Sequence, residues 1–234
     1  MALSHSPRIA TNGLVLCLDA ANTKSYPGTG TLWTDLSGTG NNATLVNAPT
    51  LSQGRFNFNG TNQYASIAYT ASLAPTTAIT FEAFVSLPSW DIATELRVLS
   101  KTEGGGYQIG LNEGIIGVGF VGALLWFGGA YRVVKVARNT LAAGWHHLAF
   151  TCDGRYFRMY QDSLEVNTYD HGSQAVIAYA VNNSFMIAAE VNNSTDPVGN
   201  YWTGSIASVK VYNRALTATE VAQNFDAYRG RFSI

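Results

Sequence analysis

The chain has 234 residues, 47% of them hydrophobic and only 12% charged, with 23 glycines and a formal net charge of −1. Such a chain makes one large, turn-rich folded unit with a sizeable core, which excludes an intrinsically disordered protein. Its 14 basic residues are scattered, so there is no basic stripe for a nucleic-acid groove, and no apolar run approaches the ~18 residues of a membrane helix.

Residues 1–12 are polar, carry Pro7, and read as an extended N-terminal arm ahead of a domain spanning 13–234. The segment MALSHSPRIATNG has no apolar h-region and no cleavage-site pattern, so no ordinary secretory signal is visible. Gly13 to Asp19 is a short continuous apolar run, the form taken by a strand buried on both faces. Asn, Pro and Gly make 20–31 a loop, Trp33 to Gly40 a tight Gly-rich turn, and Thr44 to Val46 a strand. Arg55 to Phe58 and Tyr64 to Ile67 flank Asn59-Gly60-Thr61-Asn62, a hairpin signal. Ile79 to Leu87 alternates, with Ile79, Phe81, Ala83 and Val85 against Thr80, Glu82, Phe84 and Ser86. It reads as a central strand with one face in the core.

Val98 to Lys101 and Tyr107 to Leu111 form a further pair across the turn Glu103-Gly104-Gly105-Gly106. The Gly-interrupted run Ile115 to Phe127 reads as one or two short, bulged strands. Tyr131 to Ala137 and Trp145 to Cys152 are strands joined by a polar turn. Arg155 to Tyr160 pairs with Leu164 to Thr168 across Gln161-Asp162-Ser163. Phe185 to Ala189 precedes a long polar loop over 190–199. The closing strand places Ile206, Ser208, Lys210 and Tyr212 on one side and Ala207, Val209 and Val211 on the other. Thr217 and Glu220 then form a capping box for a short helix with Val221 and Phe225 on one face and Gly230 as its stop. Many short strands and one helix predict an all-β, two-sheet antiparallel sandwich.

Five blocks in order are similar to the laminin G-like/concanavalin A-like lectin and glucanase superfamily. They are WTDLSGTGNNATLVNAP (33–49), FNFNGTNQYASI (56–67), TFEAFVSL (80–87), GWHHLAFTCDG (144–154) and GSIASVKVYNRALTATEV (204–221). The resemblance implies a concanavalin-type jelly roll closed by its C-terminal helix. Relatives have Asp-Gly at the turn where this chain has Asp162-Ser163, so that turn is expected to be of another type or strained. The fold hosts lectins, hydrolases and inert modules, so it does not itself assign a function.

The resemblance also implies a structural calcium at Asp35 to Asn42, where one carboxylate and several oxygens converge. Asp35, Ser37, Gly40 and Asn41 are the candidate ligands. Acids that relatives supply from the closing strand are here Ala207 and Ser208, and a second acidic position is Asn62-Gln63, so formal charge is lost. The competing reading is a turn that Asp35 caps for itself. Hydrolysis of a glycosidic bond needs two converging carboxylates. No ExDxE-like pattern is present: Glu82 is alone in its strand, and Glu95, Glu103 and Glu190 lie in loops. A catalytic site is therefore not expected. His146 and His147 are neighbours on a strand and point oppositely. Cys17 and Cys152 read as buried and reduced, with a bridge between them the other pairing that spacing leaves open.

Exposed rings and a polar rim are what a sugar-binding surface needs. Trp90, Tyr107, Trp126 and Tyr131, with Asn192, Asn193 and Asp196 from the 190–199 loop, are the candidate contacts, each weighed against ordinary packing. Trp33, Trp145 and Trp202 read as core. The stretch CLDAANTKSYPGTGTLWTDLSG (17–38) and the tail YRGRFSI (228–234) look like laminin-G-like proteins of tailed bacteriophages. That resemblance implies a non-enzymatic virion protein, made in the host cytoplasm and placed on capsid or tail. Its expected partners are other virion proteins in an oligomer or on the particle, or a host-surface glycan. The alternative is a carbohydrate-binding lectin module.

Overall fold

A computed structural model describes residues 8–180, 182–192 and 196–234, with only the backbone described for Asn192 and 196–198. In chain order the strands are β1 Leu14–Asp19, β2 Leu32–Trp33, β3 Ala43–Val46, β4 Thr50–Ser52, β5 Arg55–Asn59 and β6 Tyr64–Ile67. There follow β7 Ile79–Leu87, β8 Leu96–Lys101, β9 Tyr107–Leu111, β10 Phe120–Phe127, β11 Ala130–Ala137 and β12 Gly144–Cys152. The chain finishes with β13 Tyr156–Gln161, β14 Leu164–Asp170, β15 Phe185–Ile187, β16 Glu190–Asn192, β17 Asp196–Gly199, β18 Thr203–Tyr212 and helix α1 Ala218–Arg229.

Two eight-stranded antiparallel sheets face one another, as the alternating apolar pattern requires. The first runs β14-β13-β12-β7-β18-β5-β4, with β1 also on β18; the second runs β11-β10-β9-β8-β15-β6-β3-β2. Strands β16 and β17 form a separate hairpin. Rings meet across the interior: Phe81 of the first sheet lies 4.8 Å from Tyr107 of the second, and Phe157 lies 6.3 Å from Phe127, centroid to centroid. Cys17 and Cys152 are both buried free thiols, and burial pushes them up to about 11 and about 12. No helix among the described residues is long and apolar enough to cross a membrane.

Helix α1 begins with the capping box that the sequence predicts. Thr217 Oγ1 accepts from the Glu220 N–H at 3.2 Å, and Glu220 Oε2 accepts from the Thr217 N–H at 2.9 Å. Val221, Phe225 and Tyr228 are buried against the outer face of the first sheet. That cover changes β7, expected to have one face in the core: both of its faces are buried, and Glu82 is 1% exposed. Gly230 ends the helix at φ −61°, without the left-handed cap typical of a terminal glycine. The described part of the arm lies on this helix, where the Ala10 N–H donates to Asn224 Oδ1 at 2.8 Å.

Other expectations change for reasons of connectivity. Residues 55–58 and 64–67 do not form a hairpin, because β5 pairs with β18 and β4 while β6 pairs with β3 and β15. The Asn59 side chain closes this corner between sheets, its Oδ1 accepting from the N–H groups of Thr61 and Asn62. Residues 115–119 are a loop, not a strand, and the expected 190–199 loop contains two paired strands, β16 and β17. A bulge between Ile206 and Ser208 turns Ile206 into the core beside Val209 and Val211, which breaks the simple alternation expected of β18.

Candidate functional site

The outer face of the second sheet carries the most distinctive polar arrangement. On β9 the period-2 alternation puts Tyr107 inward, fully buried, and Gln108 outward. Gln108 lies opposite Leu124 on one neighbouring strand and Ser100 on the other. Gln108 and Leu124 floor a trough of about 240 Å³ walled by Glu103, Glu113, Tyr131 and Glu190. Three connections supply the walls: the 103–106 turn, the 113–119 loop and the β16–β17 hairpin.

Each wall is positioned by a definable constraint. The turn after β8 is tight at Gly106, φ +80°, where a Cβ would collide with the Lys101 carbonyl. Tyr131 pins it, its hydroxyl donating to the Gly105 carbonyl at 3.0 Å and accepting from the Gly105 N–H at 3.1 Å. Glu113 folds the next loop by accepting through Oε2 from the N–H groups of Ile115 and Ile116, both at 2.8 Å. The hairpin is tied down where the Val191 N–H donates to Ser100 Oγ at 3.4 Å. Glu190 is fully engaged: Oε1 accepts from Arg97 at 3.1 Å and Oε2 from Asn200 at 2.5 Å.

At the floor, Gln108 is 1% exposed. Its Oε1 accepts from Arg97 Nε at 3.2 Å, which fixes the amide orientation because the flipped form would set N–H against N–H. Its Nε2 has no hydrogen-bond partner among the described residues. A buried donor left unmatched costs about 1–3 kcal/mol. The Glu103 carboxylate also has no hydrogen bond or ion pair among the described residues, and burial together with Glu190 raises its pKa. Burial raises the Tyr131 pKa too, with Glu103 and Glu113 adding to the effect.

The sequence-derived ring candidates separate into two groups. Trp126 and Tyr131, directly opposite on β10 and β11, are half-buried and meet edge-to-face with centroids 4.9 Å apart. Trp90 and Tyr107 belong to the core instead. Trp90 is 1% exposed, its ring 6.1 Å from that of Trp202 and 5.5 Å from that of His146, so it offers no face to a ligand. Asn193 lies outside the described residues, as do the side chains of Asn192 and Asp196. Gln108 and Glu113 were missed. The signal for Gln108 was a lone polar residue in the apolar strand YQIGL. Glu103 and Glu190, expected as loop acids with nothing to converge them, share one trough with Glu113.

The Asp35 turn is a self-contained network. Asp35 Oδ1 accepts from the N–H groups of Cys17 at 2.8 Å and Ser37 at 2.9 Å. Its Oδ2 accepts from Ser37 Oγ at 2.7 Å, Thr39 Oγ1 at 3.0 Å and the Asn41 N–H at 3.1 Å. Asn41 is tied in turn to Val15, Ser72 and Thr70. Gly40 takes φ +79° and supplies the bend. These residues do not fit a hard cation: the one carboxylate is saturated by donors, and no second acid converges on it. Among the described residues no group of three or more His, Cys, Asp or Glu side chains is placed to hold a metal. A larger hollow, about 480 Å³ between the arm, β1 and α1, has both of its acids already matched, Asp19 by Arg231 at 2.8 Å and Tyr228 at 3.1 Å, and Asp226 by Arg229 at 2.8 Å.

Comparison with known proteins adds a family and a set of structural relatives. A family model described as the concanavalin A-like lectin/glucanases superfamily matches residues 59–222. No curated protein matches the chain. Among solved structures, the binding domain of Paraclostridial Mosquitocidal Protein 1 superposes with a TM-score of 0.69 at 16% identity, over 93% of this chain and 53% of that one. The binding domain of Botulinum Neurotoxin DC in complex with SialylT gives 0.69 at 9%, over 93% and 52%. The same domain in complex with rat synaptotagmin II gives 0.69 at 10%, over 93% and 52%. The chain thus spans about half the length of these structures, and identities this low establish the fold alone.

Proposed function

The chain belongs to the concanavalin A-like lectin/glucanase superfamily, and within it we propose a non-catalytic recognition module that binds a hydroxyl-rich ligand in the trough on the outer face of its second sheet. The observation that carries this reading is Gln108: a buried amide in the lining of the trough, held by Arg97 through its oxygen, whose Nε2 has no hydrogen-bond partner among the described residues. Hydroxyl oxygens supply acceptors for it, and their protons match the carboxylates of the walls. The half-exposed Trp126–Tyr131 pair gives an adjoining surface for a sugar ring. The structural relatives are themselves binding domains, one in complex with SialylT and one with rat synaptotagmin II. A glycan array probed with the full chain and with Trp126→Ala tests the reading; no glycan bound above background counts against it.

The biological setting we propose is the surface of a tailed-bacteriophage particle. The two stretches that resemble phage proteins form one unit here, with Asp19 accepting from Arg231 and Tyr228 across the start and end of the domain. Mass spectrometry of purified particles decides it, and absence of the chain from virions ends the idea. A second reading, glycoside hydrolysis, is favoured by one observation: the raised carboxyl of Glu103 in the same trough as Glu113. Against it, Glu190 has both oxygens engaged and Glu113 spends one on backbone N–H groups, which leaves no free acid/base pair. Turnover of any oligosaccharide, abolished by Glu103→Gln, would establish the hydrolase instead.

A further inference from the structure

We propose that the trough selects a sugar carrying a free ammonium group, an amino sugar in its deacetylated form, over neutral and acidic sugars. The inference rests on the recognition reading above and adds the ligand's charge. The trough holds three carboxylates, Glu103, Glu113 and Glu190, with Glu95 beside them. Arg97, the guanidinium bonded to Gln108, is divided between Glu95 at 2.5 Å and Glu190 at 3.1 Å. Lys135 is held by the Ile116 carbonyl and by the Phe120 ring, 4.1 Å from its centroid. Glu103 and Glu113 therefore have no countercharge among the described residues.

Desolvated carboxylates without a cation are unfavourable, and burial already disfavours the charged form of Glu103. A ligand ammonium at the mouth of the trough relieves that cost, whereas a sialic, uronic or sulfated group would meet like charge. Charge alone does not define the ligand. The donor at the floor, Gln108 Nε2, needs an acceptor oxygen that a bare cation lacks. The volume of about 240 Å³ is below the ~300–1,000 Å³ of drug-sized sites, which points to a single sugar unit inside it. The Trp126–Tyr131 pair adds aromatic surface, which favours a cation further. Acceptor oxygens, an ammonium and a ring-sized body are combined in a deacetylated amino sugar.

The test is calorimetric titration of the full chain at pH 5.5 and low salt. Its ligands are a fully deacetylated glucosamine tetramer, the N-acetylated tetramer and a sialylated oligosaccharide. The expected result is at least tenfold tighter binding of the free-amine tetramer, weakened by added salt. Glu103→Gln should bring it to the level of the acetylated form, with a melting temperature that confirms the variant is folded. Equal or tighter binding of the acetylated or sialylated ligand overturns the charge inference, and the wild-type comparison alone decides that point. If such binding is lost in Gln108→Leu or Trp126→Ala, the trough remains a recognition site. If none of the ligands binds and a broad array is also blank, the recognition reading itself fails.

Discussion

Lys210 Nζ donates to Glu82 Oε1 at 3.0 Å inside the protein, with both side chains 1% exposed. Asn224 of α1 donates to both oxygens of the same carboxylate at 3.1 Å, and the ammonium lies 4.0 Å from the Tyr228 ring centroid. His147 Nε2 sits 3.4 Å from Glu82 Oε2, a contact that falls short of a hydrogen bond in its alignment. The pair thus bolts the terminal helix to the first sheet. Replacing only Glu82 by Gln leaves an unmatched buried ammonium, and should cost about 3–5 kcal/mol in denaturant unfolding. The double change Glu82→Leu with Lys210→Met should recover most of it, since a well-packed apolar pair often equals a buried ion pair.

The same pair sets an acid limit. Burial alone would raise the Glu82 pKa, but Lys210, His147 and Asn224 outweigh it and hold it at about 2 against an ordinary 4.5. A depressed carboxylate contributes stability that is full above 4.5 and is lost as pH falls through about 2. A displacement of that size corresponds to about 3 kcal/mol. Lys210 is raised above 10.5, its own burial outweighed by Glu82, so its contribution is full below that pH and lost above it. Melting scans should show stability dropping below pH 4.5, with a shallower acid slope in the apolar double variant. An unchanged slope would remove Glu82 as the cause.

Helix α1 separates two kinds of contribution. Thr217→Ala removes one cap and should cost about 1 kcal/mol. Phe225 is 8% exposed and stacks over Phe84 and His147, so Phe225→Ala should cost about 3–5 kcal/mol. Equal losses in the two variants would mean that capping, not packing, holds the helix to the sheet.

The Asp35 turn makes an opposite forecast from a calcium site. Chelator should leave the melting temperature unchanged, while Asp35→Ala should destabilise by about 2–4 kcal/mol because several donors lose their acceptor together. A melting shift on adding calcium, lost in Asp35→Ala, would show that the carboxylate can release its donors to a metal.

What the chain revealed before its structure was local in origin. The capping box and the apolar run of β1 depend on neighbours a few positions apart, and each formed as its pattern requires; β7 formed as a strand, but helix α1 buries the face its alternation left polar. Which sheet a strand joins depends on distant partners. The Asn59-Gly60 signal therefore read as a hairpin although β5 and β6 lie in opposite sheets. The candidate site shows the same division. Trp126 and Tyr131 were legible as rings beside Gly-rich turns. Trp90 was not, because its burial needs Trp202 and His146, which come from remote segments. Gln108 was hidden by a one-residue choice of face, since Tyr107 beside it looked the better ligand. Glu103, Glu113 and Glu190 converge only because three separate connections meet over one sheet face.

The β13–β14 turn keeps the geometry of an Asp-Gly hairpin without the glycine. Asp162 has φ 51° and Ser163 φ 74°, the paired left-handed values of a type I′ turn. Ser163 accepts this strain because Asp162 is anchored. One of its oxygens accepts from the His147 N–H at 2.8 Å, and the other lies 2.6 Å from His146 Nδ1. A side chain in the left-handed region costs roughly 1–2 kcal/mol, and a glycine gives back about 0.5–1 kcal/mol through its freer unfolded chain. Ser163→Gly should therefore stabilise by about 0.5–1 kcal/mol, read as a rise in melting temperature with an unchanged denaturant slope. Ser163→Val should lower it, because a β-branched residue fits that region worst. A loss of stability in the glycine variant would mean that the serine is not strained and that the anchored Asp162 dictates the turn without cost.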